Sequence, residues 1–97
     1  MVVTFDYQSR RMELRHLRYF VAVAEDLSFT KASAKLHLAQ PSLTRQIRNL
    51  EDEIGVKLID RSNNRLTLTE PGRLFLFDSK KLLAMSAETI TAVQRMS

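Results

Sequence analysis

Leu43, Ile47, Leu50 and Ile54 stand at i, i+4, i+7 and i+11, with Gly55 directly after them. That spacing puts four apolar side chains on one face of a helix, and glycine suits the left-handed stop that ends one. Pro41 falls in the first turn, where its missing N–H costs nothing. Upstream, Ser28 is a good N-cap for a shorter helix whose stripe is Phe29, Ala32 and Leu36. Only His37-Leu38-Ala39 joins the two. A short helix, a tight connector and a second helix apolar on one side predict a helix-turn-helix over residues 29–48.

The flanks extend this unit. Leu17, Phe20, Val21 and Ala24 predict an earlier helix from Leu14, ended by Glu25-Asp26, acids that oppose the helix dipole. After Gly55, the runs Val56 to Arg61 and Arg65 to Leu68 are β-capable, and the Asn63-Asn64 pair tolerates a turn's left-handed backbone. They predict a hairpin wing over residues 56–68. Thr69 or Glu70 then caps a last helix with Pro71 in its first turn. The predicted fold class is mainly α: a winged helix-turn-helix, a three-helix core plus a small β-hairpin, over residues 12–69. A long helix over residues 70–97 follows. Residues 1–11 have no helical period and are expected to be an extension, frayed or serving as a basic arm through Arg10 and Arg11.

The 97 residues suffice for one small domain and are too few for a large enzyme with a buried cleft. With no cysteine, disulfides, thiolate metal sites and cysteine nucleophiles are excluded. His16 and His37 lie at no metal-ligand spacing, and two glycines make no phosphate loop. They are expected to be surface or partly packed residues. No catalytic set, metal or cofactor is expected. No apolar run approaches membrane-spanning length, and no charged segment precedes an apolar one as in a signal peptide. A cytoplasmic protein is the expectation.

Fifteen Lys and Arg against eleven Asp and Glu make the chain basic, and the distribution says more than the sum. Between Leu27 and Leu50 no acid occurs, while Lys31, Lys35, Arg45 and Arg48 do; acids resume at Glu51-Asp52-Glu53. On the third helix, Pro41, Arg45, Arg48 and Asp52 lie opposite the apolar face, flanked by Ser42, Thr44 and Asn49. Bases at a helix N-terminus and acids at its C-terminus oppose the macrodipole, by about 0.3–1 kcal/mol per charge. A phosphate-lined groove receiving the front half would outweigh that cost, the C-terminal acids leaving the groove. Charge on an exposed helix face is ordinarily only solvated; here it coincides with a helix-turn-helix and a wing.

Double-stranded DNA is therefore the expected partner, with contacts set by base-edge chemistry. Gln40 can pair with adenine, Arg45 or Arg48 with guanine, and Pro41 or the Thr44 methyl can touch a thymine methyl. Ser42 and Thr44 can reach phosphate or a base edge, and Thr30 and Lys31 are placed to clamp phosphate. In the wing, Arg61, Asn64 and Arg65 are candidates for a minor groove; the ordinary alternative for Arg61 is an ion pair with Asp60 or a third-helix acid. On the last helix, Leu76, Leu83 and Ile90 recur every seven residues, with Val93 widening the surface. A two-fold dimer through this helix is expected, matched to two half-sites. Rival readings are a protein-interaction module and a membrane-surface helix. Asp78 and Glu88 among the bases argue against the latter.

Residues 12–96 resemble the N-terminal part of LysR-type transcriptional regulators. Met12-Glu13-Leu14-Arg15-His16-Leu17-Arg18-Tyr19-Phe20-Val21-Ala22-Val23-Ala24-Glu25 is similar to their first helix and Ser28-Phe29-Thr30-Lys31-Ala32-Ser33 to their second. Ala39-Gln40-Pro41-Ser42-Leu43-Thr44-Arg45-Gln46-Ile47-Arg48-Asn49-Leu50-Glu51 is similar to the recognition helix. Gly55 to Arg61 and Leu68-Thr69-Glu70-Pro71-Gly72 resemble the wing and the linker-helix start. Within the family, the likeness is greatest to regulators of aromatic-compound catabolism. The resemblance implies sequence-specific DNA binding by a bacterial regulator, the recognition helix in the major groove, a wing arginine in the minor groove and dimerisation through the linker helix. It also implies a longer protein: a C-terminal effector domain holding any small-molecule site, a tetramer at full length, and RNA polymerase as a partner. Three positions depart from the pattern. Ala39 replaces a capping Ser, Asn64 replaces a wing Arg, and Pro71 replaces Ala.

Overall fold

The computed structural model describes residues 12–97; the expected N-terminal extension lies outside them. Three helices come first: α1 (Leu14–Asp26), α2 (Phe29–Leu36) and α3 (Gln40–Ile54). A two-stranded antiparallel hairpin follows, β1 (Ile59–Asp60) and β2 (Thr67–Leu68), with Ile59 opposite Leu68 and Asp60 opposite Thr67. A 3-10 turn, Ser62–Asn64, lies between the strands, and α4 (Glu70–Arg95) closes the chain. The architecture is a winged helix-turn-helix with a long C-terminal helix.

Local chemistry sets the boundaries. Ser28 Oγ accepts the Lys31 N–H at 3.1 Å and so caps α2. At the far end of α2, His37 sits in the left-handed region at φ 57°. Its N–H reaches the Ala34 carbonyl, and the Leu38 N–H reaches that of Ser33 at 3.0 Å. These are the two bonds of a Schellman stop, with histidine in place of the usual glycine. The connector that orients α3 is thus built from backbone bonds. Gly55, at φ 88°, ends α3. Ala39 gives α3 no side-chain cap, as its replacement of serine implies.

Phe20, Val23, Ala24, Phe29, Ala32, Leu43, Ile47, Leu50, Leu58 and Ile59 form the buried core, with Leu17 also buried. The expected α1 stripe is corrected at one point: Val23 is fully buried and Val21 only half. α1 packs on α2 and α3 and also on α4, so its buried face is broader than a single-sided pattern predicts. Phe20 meets Phe75 of α4 edge-on, ring centroids 5.1 Å apart. Lys80 of α4 pairs with Glu25 of α1 at 2.9 Å, and Lys35 of α2 with Asp26 at 2.6 Å. Ile54, expected on the apolar face of α3, is 39% exposed because the core ends before the last turn.

α4 begins at Glu70, with Thr69 Oγ1 accepting the Gly72 N–H at 3.0 Å. Gly72 lies so close to the wing's root that a Cβ there would fall 2.0 Å from the Leu58 carbonyl oxygen. A main-chain oxygen cannot swing aside, so any side chain must part α4 from the wing. Gly72→Ala is expected to lower stability by about 1–3 kcal/mol, the usual cost of overpacking, read as a lower midpoint in urea unfolding. An unchanged midpoint would mean that the helix and wing are not in rigid contact.

Candidate nucleic-acid interface

One face of α3 is committed to the core through Leu43, Ile47 and Leu50. The opposite face is therefore left outside. Gln40, Pro41, Arg45, Arg48 and Asn49 are exposed there, and Ser42 and Thr44 are half-buried at its flanks. Lys31 and Thr30 are exposed at the start of α2. Thr30 Oγ1 donates a hydrogen bond to Gln40 Oε1 at 3.2 Å, which joins the front ends of α2 and α3. Residue type alone, which suits Thr30 to phosphate, does not predict this contact.

The wing is held against α3 by Glu51. Its Oε2 accepts the N–H groups of Leu58 at 2.7 Å and Ile59 at 3.1 Å, while Lys57 Nζ lies 3.9 Å from Oε1. Glu51 is only 7% exposed. Asp52 is exposed, but Glu51 points inward because the two N–H groups of β1 and its approach have no strand partner on that side. Glu53 Oε2 accepts the Met12 N–H at 3.0 Å. A signal for Glu51 was present: it stands four residues after Ile47, beside the apolar face.

Beyond this latch, an open groove of about 450 Å³ runs between α3 and the wing. Ile47, Arg48, Lys57, Asp60 and Arg61 are among its lining residues. Lys57 was missed by sequence reasoning, since it lies in an alternating run with no motif around it. Arg61 follows β1, and its guanidinium carbon lies 4.3 Å from the centre of the Phe29 ring. That stacking replaces the ion pair with Asp60 or an α3 acid that the sequence allowed, and turns the charge toward α2 rather than the wing tip.

Asn63 and Asn64 both adopt left-handed backbone, at φ 62° and 56°, as the turn chemistry predicts. With Arg65 they are exposed at the tip. Asp60 Oδ1 accepts the Ser62 N–H at 2.8 Å. This bond, with help from the Ser62 hydroxyl, holds the Asp60 carboxyl below its ordinary range against a small opposing effect of desolvation.

Along α4, Leu76 packs with Phe75 against the protomer's own core, and Ser79 is fully buried on the same inner face. Leu83 is half-buried. Of the four residues expected at a helix-helix seam, Ile90 and Val93 stand clear of the domain, 56% and 64% exposed. Leu74, Phe77, Leu82 and Met85 are exposed as well. Among the described residues no group of His, Asp or Glu is arranged to hold a metal, and no helix is long and apolar enough to cross a membrane.

Residues 14–73 match the family model described as bacterial regulatory helix-turn-helix protein, lysR family. The regulator BenM of Acinetobacter baylyi is 48% identical over 86 residues, 89% of this chain and 28% of its own length. The Hca operon transcriptional activator HcaR of Escherichia coli is 56% identical over 72 residues, 74% of this chain and 24% of its own length. The chain therefore spans less than a third of these curated relatives. Among solved structures, the BenM DNA-binding domain in complex with catB site 1 DNA superposes with a TM-score of 0.84 at 48% identity, over 88% of this chain and 96% of that one. The CbnR DNA-binding domain in its DNA complex gives 0.83 at 38% identity, over 88% and 98%.

Replacing Glu51 strands two buried N–H groups. Glu51→Ala is expected to cost about 2–4 kcal/mol in urea unfolding. Glu51→Gln, which keeps one acceptor oxygen, is expected to cost less. Equal midpoints for all three proteins would refute the latch.

Proposed function

The chain belongs to the LysR family of bacterial helix-turn-helix regulatory proteins, and from that membership we propose that it binds specific double-stranded DNA with α3 in the major groove. The observation that carries this is the outward front half of α3, where Gln40, Pro41 and Arg45 stand exposed in a stretch without a single acid. Arg45 and Arg48 present guanidinium forks suited to guanine, and Ser42 and Thr44 flank them with hydroxyls. Lys31 grips phosphate beside the groove. Lys57 and Arg61 add positive charge where α3 meets the wing, and Asn64 and Arg65 carry the wing tip toward the minor groove.

The wider reading follows the family. The protein acts as a transcription regulator in the cytoplasm and catalyses no reaction. It binds as a homodimer, tetrameric at full length, and communicates with RNA polymerase. A small-molecule effector acts only through a C-terminal domain beyond this segment.

With duplexes enriched from a random library, Arg45→Ala is expected to weaken binding by about 5–150-fold, the value of one bidentate base contact, in a gel shift. The logarithm of wild-type affinity should fall linearly with the logarithm of salt concentration, with a slope of about 0.9 per phosphate neutralised. An unchanged Arg45→Ala affinity would refute the placement of α3.

We place the dimer contact on α4, through Leu83, Ile90 and Val93, with Leu76 contributing what its own core leaves free. A helix exposing Ile90 and Val93 one turn apart gains by pairing with a second copy. Sedimentation of an Ile90→Asp, Val93→Asp variant is expected to show monomer where the wild type shows dimer. A dimer that survives both aspartates would rule this contact out.

A further inference from the structure

We propose that Thr30 fixes the side-chain amide of Gln40 so that Gln40 offers DNA its N–H donors, and thereby selects guanine at its position. The inference rests on the major-groove reading of α3. Thr30 Oγ1 donates to Gln40 Oε1 at 3.2 Å. A hydroxyl has one proton, so while Thr30 holds the amide it has none to give a phosphate. Thr30 is also a firm anchor. It is β-branched and stiff at its first torsion. Its carbonyl accepts the Ser33 hydroxyl at 2.9 Å, and the neighbouring Lys31 N–H is tied to Ser28. Phe29 beside it is buried in the core.

Pairing with adenine requires both atoms of a glutamine amide in the plane of the base. The oxygen accepts from the adenine amino group while the nitrogen donates to N7. Drawing Oε1 toward α2 removes it from that plane and leaves Nε2 facing outward. A donor without its acceptor finds two partners on guanine, O6 and N7, only one on adenine, N7, or on thymine, O4, and is rejected by the cytosine amino group, so guanine is favoured. The earlier assignment of Gln40 to adenine follows from residue type alone; the contact with Thr30 reverses it. Thr30 is thus a positioning residue, acting on DNA through Gln40.

The test is selection from a random duplex library with the 97-residue chain, comparing wild type, Gln40→Ala, Thr30→Val and Thr30→Ser. Gln40→Ala should flatten preference at one position of each half-site. At that position the wild type should enrich guanine over adenine. Thr30→Val, nearly the same shape without the hydroxyl, should raise adenine there about fivefold or more, within the range of one bidentate contact. Thr30→Ser should keep the wild-type preference. A purely structural role for Thr30 would lower affinity for all sequences without moving the preference. Adenine preferred by the wild type, a flat response to Gln40→Ala, or an unmoved preference in Thr30→Val would each overturn the inference while leaving DNA binding intact. Failure of the wild type to enrich any duplex would instead overturn the major-groove reading, and the inference with it.

Discussion

A carboxylate out of water holds this domain in its working shape. Glu51 accepts two main-chain N–H groups at the root of the wing. Without it, a hairpin of two residues per strand would have little to fix its position, since so short a ladder is barely stable alone. The Leu58 carbonyl in turn accepts the Thr69 N–H at 3.0 Å, and the Thr69 hydroxyl both donates to the Lys57 carbonyl and caps α4. α3, the wing and α4 are thus joined by backbone and near-backbone bonds whose lengths permit little play. A charged acceptor suits this place because bonds to an ionised group are shorter and stronger than neutral ones.

The charge pattern of α3 has two causes. The exposed bases of its front half oppose the macrodipole and are explained by an anionic partner. The acids of its rear half are not simply repelled from that partner, because the first of them is consumed by the fold. Only Asp52 remains as an exposed acid opposite the apolar face. The same economy holds in the wing, where one arginine lies on an aromatic ring of α2 and another stands free at the tip.

The helices, their caps and the turn residues were legible because each depends on neighbours in sequence: Ser28 before α2, Gly55 after α3, the Asn pair between the strands. What escaped depends on contacts across the fold. Val23 is buried because α1 is covered from two sides. Leu76 turns inward because α4 returns along α1. Gln40 and Thr30 meet because a three-residue connector folds one helix start back onto another. Residue type gave Gln40 its chemistry, but only the juxtaposition decides which atom of its amide faces outward. The Arg61 stacking likewise needs Phe29, which lies on another element.

The glycine at the foot of α4 has a mechanical meaning. With no side chain between Gly72 and the Leu58 carbonyl, there is no cushion of rotatable bonds at that joint. The rod and the hairpin root meet as bare backbone, so their relative placement is set by main-chain geometry. The 26-residue rod thus starts from a joint that no side-chain rotation can loosen.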